Sequence, residues 1–127
     1  MSFPENVLYT EEHEWASVDD EKKIATIGIT DFAQSELGDI VFLELPAIGD
    51  TVKEGKTIGS IEAVKTVADL YSPVSGTITG VNETLEDEPE LINEDPYDKG
   101  WIVKIEISNP AELDDLLSVE DYKKIAK

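Results

Sequence analysis

The residue types that usually do chemistry at neutral pH are thinly represented in this chain. It has one imidazole, His13, no cysteine, and ten basic residues that are all lysine. A lone histidine cannot form a two-histidine metal site. Without cysteine there is no thiolate ligand, no thiol nucleophile and no disulfide framework. His13 sits among acids and close to Trp15, in Tyr9-Thr10-Glu11-Glu12-His13-Glu14-Trp15, and reads as a hydrogen-bonded structural residue before it reads as a catalyst. With 29 Asp plus Glu, carboxylates adjacent in sequence say nothing about a paired acid and base. A small acid-pair hydrolase stays open only because carboxylates can meet in space. The acidic run from Glu86 to Glu90 lacks the glycine-containing spacing of a calcium loop and reads as solvated loop, and the glycines occur singly, without the spacing of a phosphate cradle. That leaves Lys65, in Glu62-Ala63-Val64-Lys65-Thr66. It falls at the bend between two strand-like segments, where composition alone makes it an ordinary exposed turn lysine. No catalytic residue and no metal site is expected.

Short elements must position these residues. Ile24 to Ile29 is β-branched and reads as a strand; Val41 to Leu45 puts Val41, Leu43 and Leu45 on one face by period-two alternation. Thr30 caps a short helix running to Leu37, with Gly38 as its left-handed stop. Lys56 to Glu62 and Val67 to Tyr71 form a strand pair around the Lys65 bend. Val74 to Val81 is a strand interrupted by glycine, and Trp101 to Ile107 alternates with Trp101, Val103, Ile105 and Ile107 on one side. At Asn109 the period changes. Asn109 caps, Pro110 takes the first helical position, Glu112 completes a capping-box-like arrangement, and Leu113, Leu116 and Leu117 form the buried stripe. A second start at Ser118 with Asp121 carries Tyr122 and Ile125. Strands this short, with too few helices for parallel crossovers, predict a sandwich or barrel. A weak echo between Asp50-Thr51-Val52-Lys53-Glu54…Ile58 and Glu83-Thr84-Leu85-Glu86-Asp87…Leu91 suggests two related units, or two unrelated polar turns with even odds.

A length of 127 residues predicts one domain, 1–127, with a core about 24–107 and a helical segment 109–127. The formal net charge of −19, with no arginine, opposes nucleic acid and anionic membrane as partners. No apolar run approaches the roughly 18–20 residues of a membrane span, and 40% hydrophobic content is too rich for disorder. Met1 to Tyr9 lacks a signal-peptide pattern, so a cytoplasmic monomer is expected.

The segments Gly49-Asp50-Thr51-Val52-Lys53-Glu54-Gly55-Lys56, Gly59-Ser60-Ile61-Glu62-Ala63-Val64-Lys65-Thr66 and Ser72-Pro73-Val74-Ser75-Gly76-Thr77-Ile78 together resemble the lipoyl and biotinyl carrier domains. There a lysine at a hairpin tip is acylated by the cofactor. Three further features are more closely similar to the glycine cleavage system H-protein family: Tyr9 to Trp15, Ala25 to Thr30 with Leu37-Gly38, and Leu91-Ile92-Asn93 through Tyr97 and Gly100-Trp101. The resemblance covers nearly the whole chain. Glu62-Ala63-Val64-Lys65 stands near the family's usual Glu-Ser-Val-Lys, departing at Ala63; biotin carriers present Met on both sides of the lysine, and the only Met here is Met1.

This resemblance implies a mainly β fold: a flattened β-sandwich or barrel-sandwich hybrid with pseudo-two-fold symmetry, a short internal helix and C-terminal helices. It implies lipoic acid attached to Lys65, and a carrier without turnover of its own. The arm takes an aminomethyl group from the pyridoxal-phosphate glycine decarboxylase to the tetrahydrofolate-dependent aminomethyltransferase and is reoxidised by dihydrolipoyl dehydrogenase. A lipoate ligase or lipoyltransferase must install it. Glu12, Glu14 and Asp69 match positions lining the family's cleft for the loaded arm, Glu12 being the position where a smaller hydroxyl residue also occurs. The alternatives are a lipoyl domain of a 2-oxoacid dehydrogenase acyltransferase, though this chain has no flexible linker and carries extra terminal elements, or a lipoyl donor to other carriers.

Overall fold

The computed structural model describes residues 2–126. In chain order the elements are β1 (Leu8–Tyr9), β2 (Glu14–Val18), β3 (Ile24–Ile29), α1 (Asp31–Leu37), β4 (Ile40–Glu44), β5 (Thr51–Val52), β6 (Thr57–Ala63), β7 (Val67–Tyr71), β8 (Gly76–Val81), the one-turn helices α2 (Thr84–Asp87) and α3 (Leu91–Glu94), β9 (Val103–Ile107), a 3-10 helix (Pro110–Asp115) and α4 (Val119–Ile125). A six-stranded sheet in the order β1-β2-β3-β9-β8-β5 faces a three-stranded sheet in the order β4-β6-β7, and the strand pairs are antiparallel. The sheets share one apolar core, in which Ile27, Ile78, Val103 and Ile105 of the larger meet Ile61, Leu43 and Leu70 of the smaller. They do not close into a barrel. β1 and β2 join the larger sheet from the N-terminal side of the 24–107 core.

Local signals held where the chemistry is local. The Thr30 hydroxyl accepts the Ala33 amide at 3.2 Å and Gly38 ends α1 at φ 80°, as a side-chain cap and a left-handed stop require. Ser118 likewise caps α4 by accepting the Asp121 amide.

Other expectations changed in the fold. In β4 the buried residues are Ile40 and Leu43, while Val41 and Phe42 both face out. A bulge opposite β6, between Ile40 and Phe42, inserts a residue and resets the alternation that would have put Val41 inward. β9 begins at Val103; Ile102 is fully buried and Trp101 turns away to a second cluster with Tyr9, Trp15, Val119 and Tyr122. Glu112 does not close a capping box, because its carboxylate accepts the Ser75 amide at 2.7 Å and the Ser75 hydroxyl at 2.9 Å. Of the acidic run Glu86 to Glu90, Glu86 and Asp87 lie in α2, pinned by buried Leu85, whereas residues 88–90 are loop as expected, and the acids of the run are exposed. The two echo segments differ locally, one holding strand β5 and the other helix α2.

The tail belongs to the core architecture. Tyr9 and Leu117 exchange backbone hydrogen bonds at 2.9 and 2.7 Å, covering the free edge of β1, and Tyr122 stacks on Tyr9 with ring centroids 4.5 Å apart. No helix among the described residues is long and apolar enough to cross a membrane.

Candidate functional site

Lys65 stands at the tip of the β6–β7 hairpin. The turn is closed by the Ala63 amide donating to the Thr66 carbonyl at 2.8 Å, and braced by the Val64 amide donating to the Asp39 carbonyl at 3.1 Å. Val64 through Val67 are exposed, and Lys65 makes no ion pair among the described residues. The amine is therefore presented to solvent on a rigid two-stranded base. Across the outer face of the small sheet, Phe42, Glu62 and Val67 lie in one row by strand register, all exposed. The base of the tip thus exposes Phe42 and Val67 on either side of Glu62.

β7 is an edge strand of the small sheet, and a turn from the other sheet meets that edge. In residues 10–14 the Thr10 hydroxyl accepts the amides of Glu12 and Glu14, each at 3.2 Å, and donates to Glu14 Oε1 at 2.8 Å. His13 takes a left-handed φ of 66°, so the chain reverses directly into β2. Glu14 is only 2% exposed, and its Oε2 accepts the Tyr71 amide from the β7 edge at 3.0 Å. Burial pushes its carboxyl up to about 7, against the opposing pull of the Tyr71 and Thr10 hydrogen bonds. His13 is pushed the other way by burial, below the usual imidazole range, with Glu12 and Glu36 opposing.

Helix α1 supplies the facing wall. Asn93 fixes its end: the side-chain oxygen accepts the Ile40 amide at 3.0 Å while its nitrogen donates to the Gly38 carbonyl at 2.8 Å and to Gln34 at 3.0 Å. Between α1, the 10–14 turn and β7 lies a cleft of about 490 Å³, floored by Ile29, Phe32, Ala33, Ile61 and Ala68 and bordered by Glu12, Glu14, Glu36 and Asp69. The three acids singled out in the sequence therefore meet in one cleft. Glu14 is a buried wall residue, whereas Glu12 and Asp69 are exposed. Asp69 also raises the pKa of the neighbouring Tyr71 phenol through its charge. Lys65 does not line the cleft; it stands in the turn four residues before Asp69, a stretch that spans at most about 13 Å.

An apolar floor with an acidic border has the chemistry to take an apolar chain that ends in a cation, and two of its lining residues, Ala68 and Asp69, lie on the strand that follows the Lys65 turn. No group of three His, Asp or Glu among the described residues is arranged to hold a metal ion. Sequence reading missed Phe32 and Thr10, whose signals were an aromatic in a capped helix and a hydroxyl two and four residues before acids. It also missed Tyr122, hydrogen-bonded to His13 at 2.8 Å from 109 residues away, for which no local signal exists.

The family model described as "Glycine cleavage H-protein" matches residues 7–127. A "Glycine cleavage system H protein" from Listeria monocytogenes serotype 4a (strain HCC23) is 62% identical over 125 residues, covering 98% of each chain. One of the same name from Carboxydothermus hydrogenoformans is 57% identical over 122 residues, 96% of this chain and 92% of that one. The crystal structure of a glycine cleavage system H protein from Mycobacterium marinum superposes with a TM-score of 0.88 at 36% identity, covering 96% of this chain and 97% of that one.

Proposed function

This chain belongs to the glycine cleavage H-protein family, a family of lipoyl carriers, and on that premise we propose that Lys65 bears the lipoyl group and that the cleft between α1 and β7 shelters its loaded end. The observation that carries this reading is the shape and chemistry of the cleft, apolar below and acidic at its border, with its wall residue Asp69 four residues along the chain from the exposed lysine at the β6–β7 tip. The lipoyl group that Lys65 would hold would supply a dithiolane disulfide, able to take up an aminomethyl group with two electrons and to be reoxidised afterwards.

The residues of this chain do the rest. Acylation turns the Lys65 ammonium into an amide, making the chain one charge more negative than −19. The rigid turn holds that arm clear of the body, so partner active sites can admit it while the sheets stay outside. Phe32, Ala33 and Ala68 offer the arm an apolar bed, and Glu12, Glu14 and Asp69 offer an amine charge-assisted hydrogen bonds of roughly twice the ordinary strength. Away from bulk water, the labile carbon–nitrogen unit is less open to hydrolysis to formaldehyde and ammonia. The partners proposed are glycine decarboxylase, the aminomethyltransferase, dihydrolipoyl dehydrogenase and a lipoate ligase or lipoyltransferase, in the cytoplasm.

Treatment with lipoate ligase and lipoate, followed by intact mass and peptide mapping, should add one lipoyl group, on Lys65. Lys65→Arg should remain unmodified with an unchanged circular dichroism spectrum and should support no glycine cleavage when added to the partner enzymes. A lipoyl adduct on another lysine, or activity in the Arg variant, would overturn the assignment.

A further inference from the structure

The Tyr122 hydroxyl, in the C-terminal helix, is fully buried and bridges both walls of the cleft. It shares a hydrogen bond of 2.8 Å with His13 Nδ1, from the turn that carries Glu12 and Glu14, and one of 2.6 Å with Thr30 Oγ1, the cap of α1. The two backbones already meet once, through the Thr30 amide donating to the His13 carbonyl at 3.0 Å. The phenol adds what a backbone bond cannot: it fixes the rotation of the imidazole, whose ring centroid lies 4.8 Å from that of Phe32 on the cleft floor. From these contacts we infer that Tyr122 is a positioning residue for cargo retention, setting the cleft wall through His13 and Thr30 without touching the arm.

Of the two proton orders that these contacts allow, the proposed one has Thr30 Oγ1, which accepts the Ala33 amide, donating its own proton to the Tyr122 oxygen, and the phenol proton going to His13 Nδ1. The chain of donation leaves a neutral imidazole with its proton on Nε2. Among the described residues the hydroxyl makes no further hydrogen bond, and the ring of Tyr122 packs separately on Phe3 and Tyr9 by its faces and edges.

This inference rests on the carrier reading, and its test separates the two. Tyr122→Phe keeps the ring and removes both bonds. Tyr9→Phe is the control: it lies in the same stack, equally buried, and its hydroxyl donates to the Pro4 carbonyl at 2.6 Å away from the cleft. Each protein would be lipoylated, loaded with the aminomethyl group, freed of partner enzymes and followed for formaldehyde release. Tyr122→Phe should release roughly three- to tenfold faster than wild type, the range expected for a lost buried hydrogen bond, and Tyr9→Phe should match wild type even if its Tm falls as far. In the unlipoylated proteins, nitrogen-15 NMR of the His13 ring should show the neutral Nε2–H form in wild type and in Tyr9→Phe, and a shift toward the tautomer mixture of free imidazole in Tyr122→Phe. Equal release from wild type and Tyr122→Phe, or equal acceleration in both variants, would overturn the role of Tyr122 alone. Wild-type release as fast as that of free aminomethyl-dihydrolipoamide would remove the shelter itself, and this inference with it.

Discussion

Glu14 combines two features that pull in opposite directions, a buried carboxyl and a hydrogen bond to the edge of the β6–β7 hairpin, and Glu14→Gln separates them. Displacement from an ordinary carboxyl at 4.5 to about 7 corresponds to about 3 kcal/mol at ~1.4 kcal/mol per tenfold change in proton affinity. The folded state holds this proton more tightly than the unfolded state does. The stability it contributes is therefore fully present below the unfolded value and is lost as pH rises through about 7. Glutamine has the geometry of the protonated acid: its oxygen can accept the Tyr71 amide while its nitrogen donates to Thr10 Oγ1. The variant should carry no such pH-dependent loss.

The sequence pI of about 4.1 makes acid conditions impractical, so the useful window is pH 5.5 to 8.5. Across it, the wild type should lose about 2 kcal/mol relative to Glu14→Gln, or roughly 6–10 °C in Tm for a chain of this size. Urea unfolding of both proteins at four pH values gives the difference curve. Titrations of the other acids are common to both proteins and cancel, as does any constant offset from the fit of the amide. A difference that does not change with pH, or one that changes in the opposite sense, would refute the account of Glu14 as a buried acid whose charge opposes folding.

The remaining expectations concern cargo and encounter. Asp69→Asn, and to a smaller degree Glu12→Gln, should leave lipoylation and redox cycling intact while speeding formaldehyde release from the loaded protein, by up to about tenfold after allowance for their exposure; unchanged decay measured without partner enzymes would remove these carboxylates from the retention mechanism. With a formal charge of −19, aminomethyl transfer to a partner with a basic docking face should slow as ionic strength rises. A flat response in a salt series would assign the acidic surface to solubility instead.

What the sequence made legible was what short-range chemistry decides. The cap and stop of α1 depend on Thr30 and Gly38 alone, and the Lys65 bend depends on two strand-like runs that flank it, so both could be read without a fold. The face of β4 could not, because the bulge that exposes Val41 and Phe42 is set by pairing with β6. The ranking of the three acids was equally hidden. Glu12 and Glu14 look alike in an acid-rich segment, and only the approach of the β7 edge, 57 residues on, buries one and leaves the other in water. Tyr122 read as a core residue of a C-terminal helix; its role at the cleft needs the tail folded back over β1.

The placement of Glu14 also explains why a costly buried carboxyl persists at this point. β7 is an edge strand whose Ala68 and Asp69 line the cleft, so a further strand paired along it would crowd that wall. A free edge, however, leaves the hairpin held to the larger sheet only through side chains and the shared core. A carboxylate reaching one edge amide ties the hairpin down at a single point and leaves the rest of the edge open. The tie survives either protonation state, because Oε2 can accept the Tyr71 amide in both, so the hairpin stays docked across neutral pH while the cost of the charge appears only in global stability. A cation arriving in the cleft favours the ionised form and draws the pKa back down. On the proposed reading, a cationic cargo would by linkage relieve the cost that Glu14 imposes on the empty protein and convert a stability defect into differential affinity for the loaded state.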